Sequence, residues 1–458
     1  MILLLVPMLR PHSASYIGED SYFNIRMAES MSPYDSLSYG GRVSAYNLGL
    51  PMMLSLSPLL LARFLPFMLG LLSFILFGLL LDYFEVKERN LGLLLLAVSP
   101  PFIYMFSTLN SYFVAVFLAL LGFFLFSRKS RIFVALAMLV FSIMPFFNLM
   151  MALICSVLVI FFGLFKLKMK KRYAFTIFIL IIIVSFAYYG YMAYAAGEPI
   201  NLFFKTGAQG FNATLMSMFS ELGGKFGLAI FGVILFVFGL VYSWDRKYKE
   251  LSVFFSIMFL IILAFFRIEP IILLNFMVCL FAAKGFAYLC NKEWGSSGLK
   301  QFTILVLVCG LIFSSLSFVK EAVREEPSDG IIQGLDFLSR LNPGTVFSVP
   351  ERGKWINYAG MPNVMDTNYI FAPQLKKRWA DTQLLLNTRD LKVASEIFER
   401  YGIRYIWIDS GFKGKIWSYD EDGLLFIMKY NPDIERIYNQ GGVEIWEVYP
   451  TVKLKNLS

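Results

Sequence analysis

Runs such as "LPFMLGLLSFILFGLLLDYF" (Leu65–Phe84) and "FTIFILIIIVSFAYYGYMAY" (Phe175–Tyr194) constrain this 458-residue chain more than any other feature. Each is near the ~20 apolar residues needed to cross a bilayer and is too long for a soluble core helix. With 58% hydrophobic residues, 16% charged ones and a mean hydropathy of +0.64, the chain reads as a polytopic α-helical membrane protein. Spans are expected near 64–82, 91–107, 111–126, 132–147, 148–165, 173–195, 225–243, 251–267, 270–289 and 301–319. The opening "MILLLVPML" supplies only ~14 Å of helix, half the hydrocarbon thickness. It is read as the outer end of a helix begun upstream, which brings the expectation to about 10–11 transmembrane helices. "NLGLPMMLSLSPLLLA" (47–62), broken by Pro and Ser, is read as an interfacial or re-entrant piece.

Loop charge sets the expected orientation. One alternate set of loops contains Lys87 and Arg89, then Arg128, Lys129 and Arg131, the five basic residues of "KLKMKKR", Arg246, Lys247 and Lys249, and finally Lys292 and Lys300. Basic loops stay cytoplasmic. Segments 10–63 and 196–225 and the tail 320–458 are therefore expected outside. The implied domains are a membrane domain, 1–319, with outer loops 10–63 and 196–225, and an extracytoplasmic α/β domain, 320–458.

The tail alternates helix and strand signals. "DGIIQGLDFLSRLNPG" reads as an amphipathic helix and turn, and "TVFSVP" as a strand. "DLKVASEIFERYGIRYIWIDS" reads as helix, glycine cap and buried strand, and "GGVEIWEVYP" as a closing strand.

The net charge of +9 does not imply a nucleic-acid partner. Residues 1–319 carry 23 Lys and Arg against 13 Asp and Glu, whereas 320–458 carry 18 against 19, so the excess belongs to the membrane part. All four cysteines lie in or beside apolar segments, and His12 is the single histidine, which excludes thiolate and histidine metal clusters. A hard cation held by oxygen is the one metal such a chain can bind.

Charge near a bilayer is costly and marks candidate function. The outer-side candidates are Glu19, Asp20 and Arg26 in "YIGEDSYFNIRMAES", Glu198 and Glu221, and Arg267 with Glu269. Carboxylates with an arginine suit an anionic, membrane-anchored substrate such as a polyprenyl-phosphate sugar. Breaking a sugar–phosphate bond leaves negative charge on phosphate, which a guanidinium or divalent ion stabilises, while a carboxylate takes the acceptor's proton or holds the metal. Structural roles compete with these. Glu19 and Asp20 suit a helix N-terminus, Arg26 a solvated helix face, Arg267 a snorkelling position, and Glu221 a helix start. "NAT" at Asn212 matches a glycosylation sequon.

"GEDSYFNIRMAE" after a first membrane helix resembles the first outer loop of type C (GT-C) membrane glycosyltransferases, and of the archaeal oligosaccharyltransferase catalytic subunit in particular. "LLLLAVSPPFIYMFSTLN", "MFSELGG" and "FRIEPIILLNFMVCLFAAKG" resemble later parts of that family's membrane domain. "TVFSVPERGKWINYAGMPNVMDTN", "RYGIRYIWID" and "RIYNQGGVEIWEV" resemble its tail. The resemblance runs along nearly the whole chain and implies a GT-C-like membrane domain followed by an extracytoplasmic α/β domain.

By this resemblance Asp20 and Glu221 are the catalytic candidates, Asp20 also as ligand to a divalent cation, Mg²⁺ or Mn²⁺. Arg267 and Arg26 are the candidates for binding donor phosphate, and Glu351 and Trp355 for the acceptor side. Where the family has WWD, this chain has Val349, Pro350 and Glu351, with only Gly353 and Trp355 following the pattern. The family's D-x-E is Asn110, Ser111 and Tyr112. The implied partners are a lipid-linked sugar donor, a protein or lipid acceptor and an archaeal cell membrane. Loss of D-x-E points to a monophosphate-linked donor and a hydroxyl acceptor, which need less activation than an amide. The expectation from another class is a non-catalytic membrane scaffold or accessory protein that kept the fold.

Overall fold

The computed structural model describes residues 6, 16–32, 34–43, 47–166, 171–198, 201, 211–244, 251–419 and 421–449. The opening apolar run apart from Val6, His12, most of the "KLKMKKR" loop and the basic residues at 246–249 lie outside the described residues, as does the side chain of Asn212. Two compact units result. One holds the described residues of Met1–Ser13, Asn47–Tyr189 and Thr206–Glu325, and the other those of Ala14–Tyr46, Gly190–Lys205 and Glu326–Ser458. The division at 319/320 expected from sequence therefore differs from the observed grouping chiefly in the segment 14–46, which groups with the tail.

In the first unit every expected span meets an apolar helical element. Pro58–Tyr83, Lys171–Ala196, Glu269–Asn291 and Ser297–Val323 are long and apolar enough to cross a membrane alone, and Arg89–Ala97 with Pro100–Ser107 forms a pair bent by 57°. Ser111–Ser127, Arg131–Phe146, Leu149–Leu164, Ile230–Ser243 and Leu251–Ala264 are shorter apolar helical stretches. Exposed Phe186, Tyr194 and Phe313 are what lipid, rather than water, tolerates. Glu269–Asn291 is the hub, with 72% of its apolar window buried against 22% for Lys171–Ala196. It packs tightly on Ile230–Ser243 because a Cβ on Gly239 would fall 1.8 Å from the Phe281 carbonyl oxygen, and one on Gly285 2.1 Å from that of Leu235. Only glycine permits backbones to approach so closely.

Two expectations change. The segment 47–62 is not one interfacial piece: Gly49–Leu54 is a short helix, while Pro58–Ala62 is the first turn of the long helix that follows, since proline suits a helix start. The span at 91–107 is broken, because Pro100 and Pro101 cannot donate to preceding carbonyls. Ser315 donates its hydroxyl to the freed Val98 carbonyl oxygen, and Asn275 Nδ2 donates to Ser99 Oγ at 3.0 Å. These contacts satisfy a kink that bare lipid would penalise.

The second unit is an α/β domain. Its four-stranded sheet runs in the order Thr345–Phe347, Ile403–Asp409, Val443–Val448, Ile434–Gln440, with the first pair parallel and the others antiparallel. The helix Leu391–Tyr401 ends on Gly402 in the left-handed region (φ 59°) and leads straight into the buried strand Ile403–Asp409, as the sequence indicates. Asp329–Ser339 is helical, with the Ser328 side chain accepting from the Ile331 amide. The polar edge strand Ile434–Gln440 was not legible beforehand. The amino-terminal helix Glu19–Ser30 belongs here. Its Tyr22 enters the domain core and meets Tyr358 and Trp355 edge-on at ring separations of 4.9 and 6.5 Å.

Candidate active site

The helix Glu19–Ser30 starts after Gly18, whose amide donates to the Glu326 carbonyl oxygen at 3.0 Å. Its first turn presents Glu19 and Asp20 towards the helix Pro350–Tyr358. Gly353 lets that helix lie against the following segment, where a Cβ would fall 2.2 Å from the Met365 carbonyl oxygen. Lys354 thereby reaches the acidic pair, with Nζ 2.5 Å from Asp20 Oδ1 and 3.6 Å from Glu19 Oε1. The Lys354 side chain is 7% exposed and that of Asp20 52% exposed. A buried ammonium thus holds a carboxylate that still faces outward.

Burial alone would lower the Lys354 ammonium, but Asp20, Glu19 and Asp366 outweigh it and hold it above the ordinary lysine range. Burial pushes the Glu19 carboxyl up to about 7, against the lowering by Lys354 and by the Thr367 hydroxyl, which donates at 2.7 Å. The ammonium is therefore shared by the open Asp20 carboxylate and by Glu19, which titrates near neutrality. Glu19 is among the outer-side charges named from the sequence, whereas Lys354 is not. A basic residue near Trp355 in "ERGKW" was the available signal, and nothing local showed which way it points.

Arg26 is elsewhere. Its two terminal nitrogens fork to Asp35 at 2.7 and 2.5 Å, and Asp35 also accepts from the Leu37 and Ser38 amides. Although burial opposes it, the guanidinium keeps the Asp35 carboxyl below its usual range. Arg26, a phosphate-binding candidate by sequence, is engaged by Asp35 and ties down the loop that follows its helix. That loop docks through buried polar contacts. Ser38 Oγ donates to Asp366 Oδ2 at 2.5 Å, the Tyr39 amide to Asn363 Oδ1 at 2.9 Å and the Tyr39 hydroxyl to the Asp366 carbonyl oxygen at 2.8 Å. Arg42 donates to the Asn368 carbonyl oxygen and to Asp366.

On the acceptor side, Glu351 is exposed in the first turn of Pro350–Tyr358. Trp355 is 3% exposed and forms part of the core, so its ring is not on offer to a ligand. The helix is buried from Arg352 to Asn357, and Trp355 fills the core by packing on Tyr22 rather than facing water.

Glu221 and Arg267 belong to the first unit. Glu221 lies in the turn Ser220–Leu222. Its carboxylate accepts from the Ile230 amide at 3.1 and 3.2 Å, where the helix Ile230–Ser243 begins, and from Ser314 Oγ at 2.6 Å. The helix-start role read from sequence is what it performs. Arg267 forks to Glu269, with Nε to Oε2 at 3.1 Å and a terminal nitrogen to Oε1 at 2.7 Å. Glu269 is nearly fully buried and the Arg267 side chain 30% exposed. Asn110 caps Ser111–Ser127, its Oδ1 accepting from the Tyr112 and Phe113 amides.

The residues present do not fit a divalent cation on Asp20. No cluster of three His, Cys, Asp or Glu is found among the described residues. The space between Glu19 and Asp20 belongs to the Lys354 ammonium. A magnesium ion requires about six oxygen ligands at ~2.1 Å, which one half-open carboxylate beside a fixed positive charge does not supply.

No protein-family model matches the sequence, and no curated protein matches it. Solved structures do. The Archaeoglobus fulgidus oligosaccharyltransferase in the apo form superposes with a TM-score of 0.65 at 12% identity, over 90% of this chain and 69% of that one. The archaeal oligosaccharyltransferase AglB from Archaeoglobus fulgidus, in complex with an inhibitory peptide and a dolichol-phosphate, gives 0.63 at 10% identity, over 99% and 74%. ArnT from Cupriavidus metallidurans in the apo state gives 0.61 at 9% identity, over 97% and 96%. The chain therefore has the fold of the type C membrane glycosyltransferases.

Proposed function

We propose that this chain is a membrane glycosyltransferase that moves a sugar from a polyprenyl-phosphate donor to a hydroxyl of a protein or lipid acceptor on the outer face of the membrane. The observation that carries the reading is Asp20, a half-exposed carboxylate backed by a buried ammonium, on a chain with this fold. A dolichol-phosphate in one structural neighbour supports the lipid-linked donor. Basic loops on one set of alternate turns support the outer placement of segment 14–46 and of the tail.

In this mechanism the acceptor oxygen attacks the anomeric carbon and its proton passes to Asp20. The bond from that carbon to the phosphate oxygen breaks, and the electron pair leaves on the polyprenyl phosphate. The candidate for meeting the phosphate charge is Arg267, which is paired with Glu269. Glu221 and Arg26 act as positioning residues, one fixing a helix start and the other the loop after Asp20. Glu351 is the acceptor-side candidate that remains open to a ligand.

The test is transfer of radiolabelled sugar from polyprenyl-phosphate donors in membranes with matched amounts of wild type and Asp20→Asn. A general base contributes roughly 10²–10⁴-fold, so a loss of at least about a hundredfold is expected. Equal transfer by both proteins rejects the role of Asp20. The second reading, a non-catalytic scaffold, is favoured by the ion pairing and capping of Arg26, Glu221 and Asn110. Absence of transfer from every donor by wild type would select it.

A further inference from the structure

We propose that Lys354 is the resident cation of the Asp20 site, a built-in positive charge standing where a divalent ion would otherwise be recruited. The catalytic part of this proposal rests on the glycosyl-transfer reading; the cation-binding part does not.

Three observations converge on Lys354. Its side chain is 7% exposed yet carries a charge that the domain cannot leave uncompensated. Two acids, Asp20 at 2.5 Å and Glu19 at 3.6 Å, face it, and the charge of Asp366 adds to theirs. Its stem is fixed rather than mobile, because the neighbouring Gly353 abuts the Met365 carbonyl and Nζ lies 6.0 Å from the centre of the Phe23 ring. A flexible surface lysine would share its carboxylates with incoming metal ions. A buried, aimed one excludes them by occupying their place and by repulsion.

The functional consequence is a site whose positive charge cannot be chelated. An ammonium holds Asp20 oriented, as a metal would, but presents hydrogens rather than open coordination positions. It therefore serves the carboxylate and leaves the donor phosphate to a guanidinium.

The test uses the purified full-length protein in detergent, stripped of metal, with Mn²⁺ as probe and free Mn²⁺ followed by electron paramagnetic resonance. Wild type is expected to show no Mn²⁺ site that depends on Asp20. Lys354→Ala leaves Glu19 and Asp20 without the cation between them and is expected to gain one Mn²⁺ per chain, with water completing its coordination. The added change Asp20→Asn is expected to remove it, and Lys354→Arg, which keeps the charge, not to create it. If Lys354→Ala does not fold, the wild-type arm still decides. Stoichiometric Mn²⁺ binding by wild type that vanishes in Asp20→Asn overturns the proposal. So does a folded Lys354→Ala protein that binds no Mn²⁺.

Where wild type transfers sugar, excess EDTA is expected to change the rate less than twofold. A tenfold loss restored by Mn²⁺ overturns the proposal independently. A protein without transfer activity but with the expected Mn²⁺ pattern would reject the enzymatic reading and retain the cation assignment.

Discussion

At the scale of single residues, the site turns on which carboxylates keep their protons. Glu19 has a folded value near 7 against about 4.5 for an unperturbed glutamate, so between those pH values the folded state binds more protons than the unfolded one. The Glu19 contribution to stability is therefore full below about pH 4.5, declines as pH rises and is gone above about 7. Thermal midpoints measured from pH 5 to 7.5 should show a smaller decline for Glu19→Gln than for wild type. Arg26 and Asp35 behave in the opposite sense, as a buried pair in which each needs the other. Asp35→Ala strands a guanidinium and should cost about 3–5 kcal/mol, read as a lower thermal midpoint with reduced yield. This legibility was uneven. The glycine at 402 announced itself because a left-handed helix end calls for glycine, whereas Lys354 did not. A lysine enters the interior only where acids await it, and Asp20 lies 334 residues away.

At the scale of elements, apolar runs were enough to place each helical stretch, but not its length or its breaks. The pair Arg89–Ala97 and Pro100–Ser107 bends because two prolines follow Ser99, and the bend persists because Asn275 and Ser315 accommodate it. The second condition is written in other helices. The crossing of Ile230–Ser243 with Glu269–Asn291 gives a sharper prediction. Gly239→Val drives a side chain into the Phe281 backbone and should cost at least about 1–3 kcal/mol, seen as a lost or early-melting peak in size-exclusion chromatography. Gly190→Ala, at a position with nothing within 4 Å, should stay within about 1 kcal/mol of wild type. Trp355 shows a related limit: a motif matches letters, while packing on a distant residue, here Tyr22, decides which of them enter the core.

At the scale of the whole molecule, the division into membrane part and tail was legible from composition alone. The grouping of residues 14–46 with the tail was not, because polar contacts such as Ser38 to Asp366 carry no periodic signal. The outer placement proposed for the second unit predicts a labelling pattern in intact cells. A cysteine introduced at exposed Glu351 should react with a membrane-impermeant maleimide, and one at Lys87 only after the cells are opened. The reverse pattern would move the proposed chemistry to the cytoplasm.

The second unit draws together segments far apart along the chain, Ala14–Tyr46, Gly190–Lys205 and Glu326–Ser458. At ~5–20 residues per second, Lys354 leaves the ribosome roughly twenty seconds to a minute after Asp20. Arg26 and Asp35, nine residues apart, have each other from the outset. Glu19, Asp20 and the apolar face around Tyr22 wait for partners not yet made. A nascent chain stopped just after Val323 carries the apolar helices found among the described residues and still displays an unpaired acidic turn beside bare aromatic rings. Such a surface is what chaperones and proteases use to tell an unfinished protein from a finished one, so in this fold the arrival of the tail completes the site and ends that exposure together.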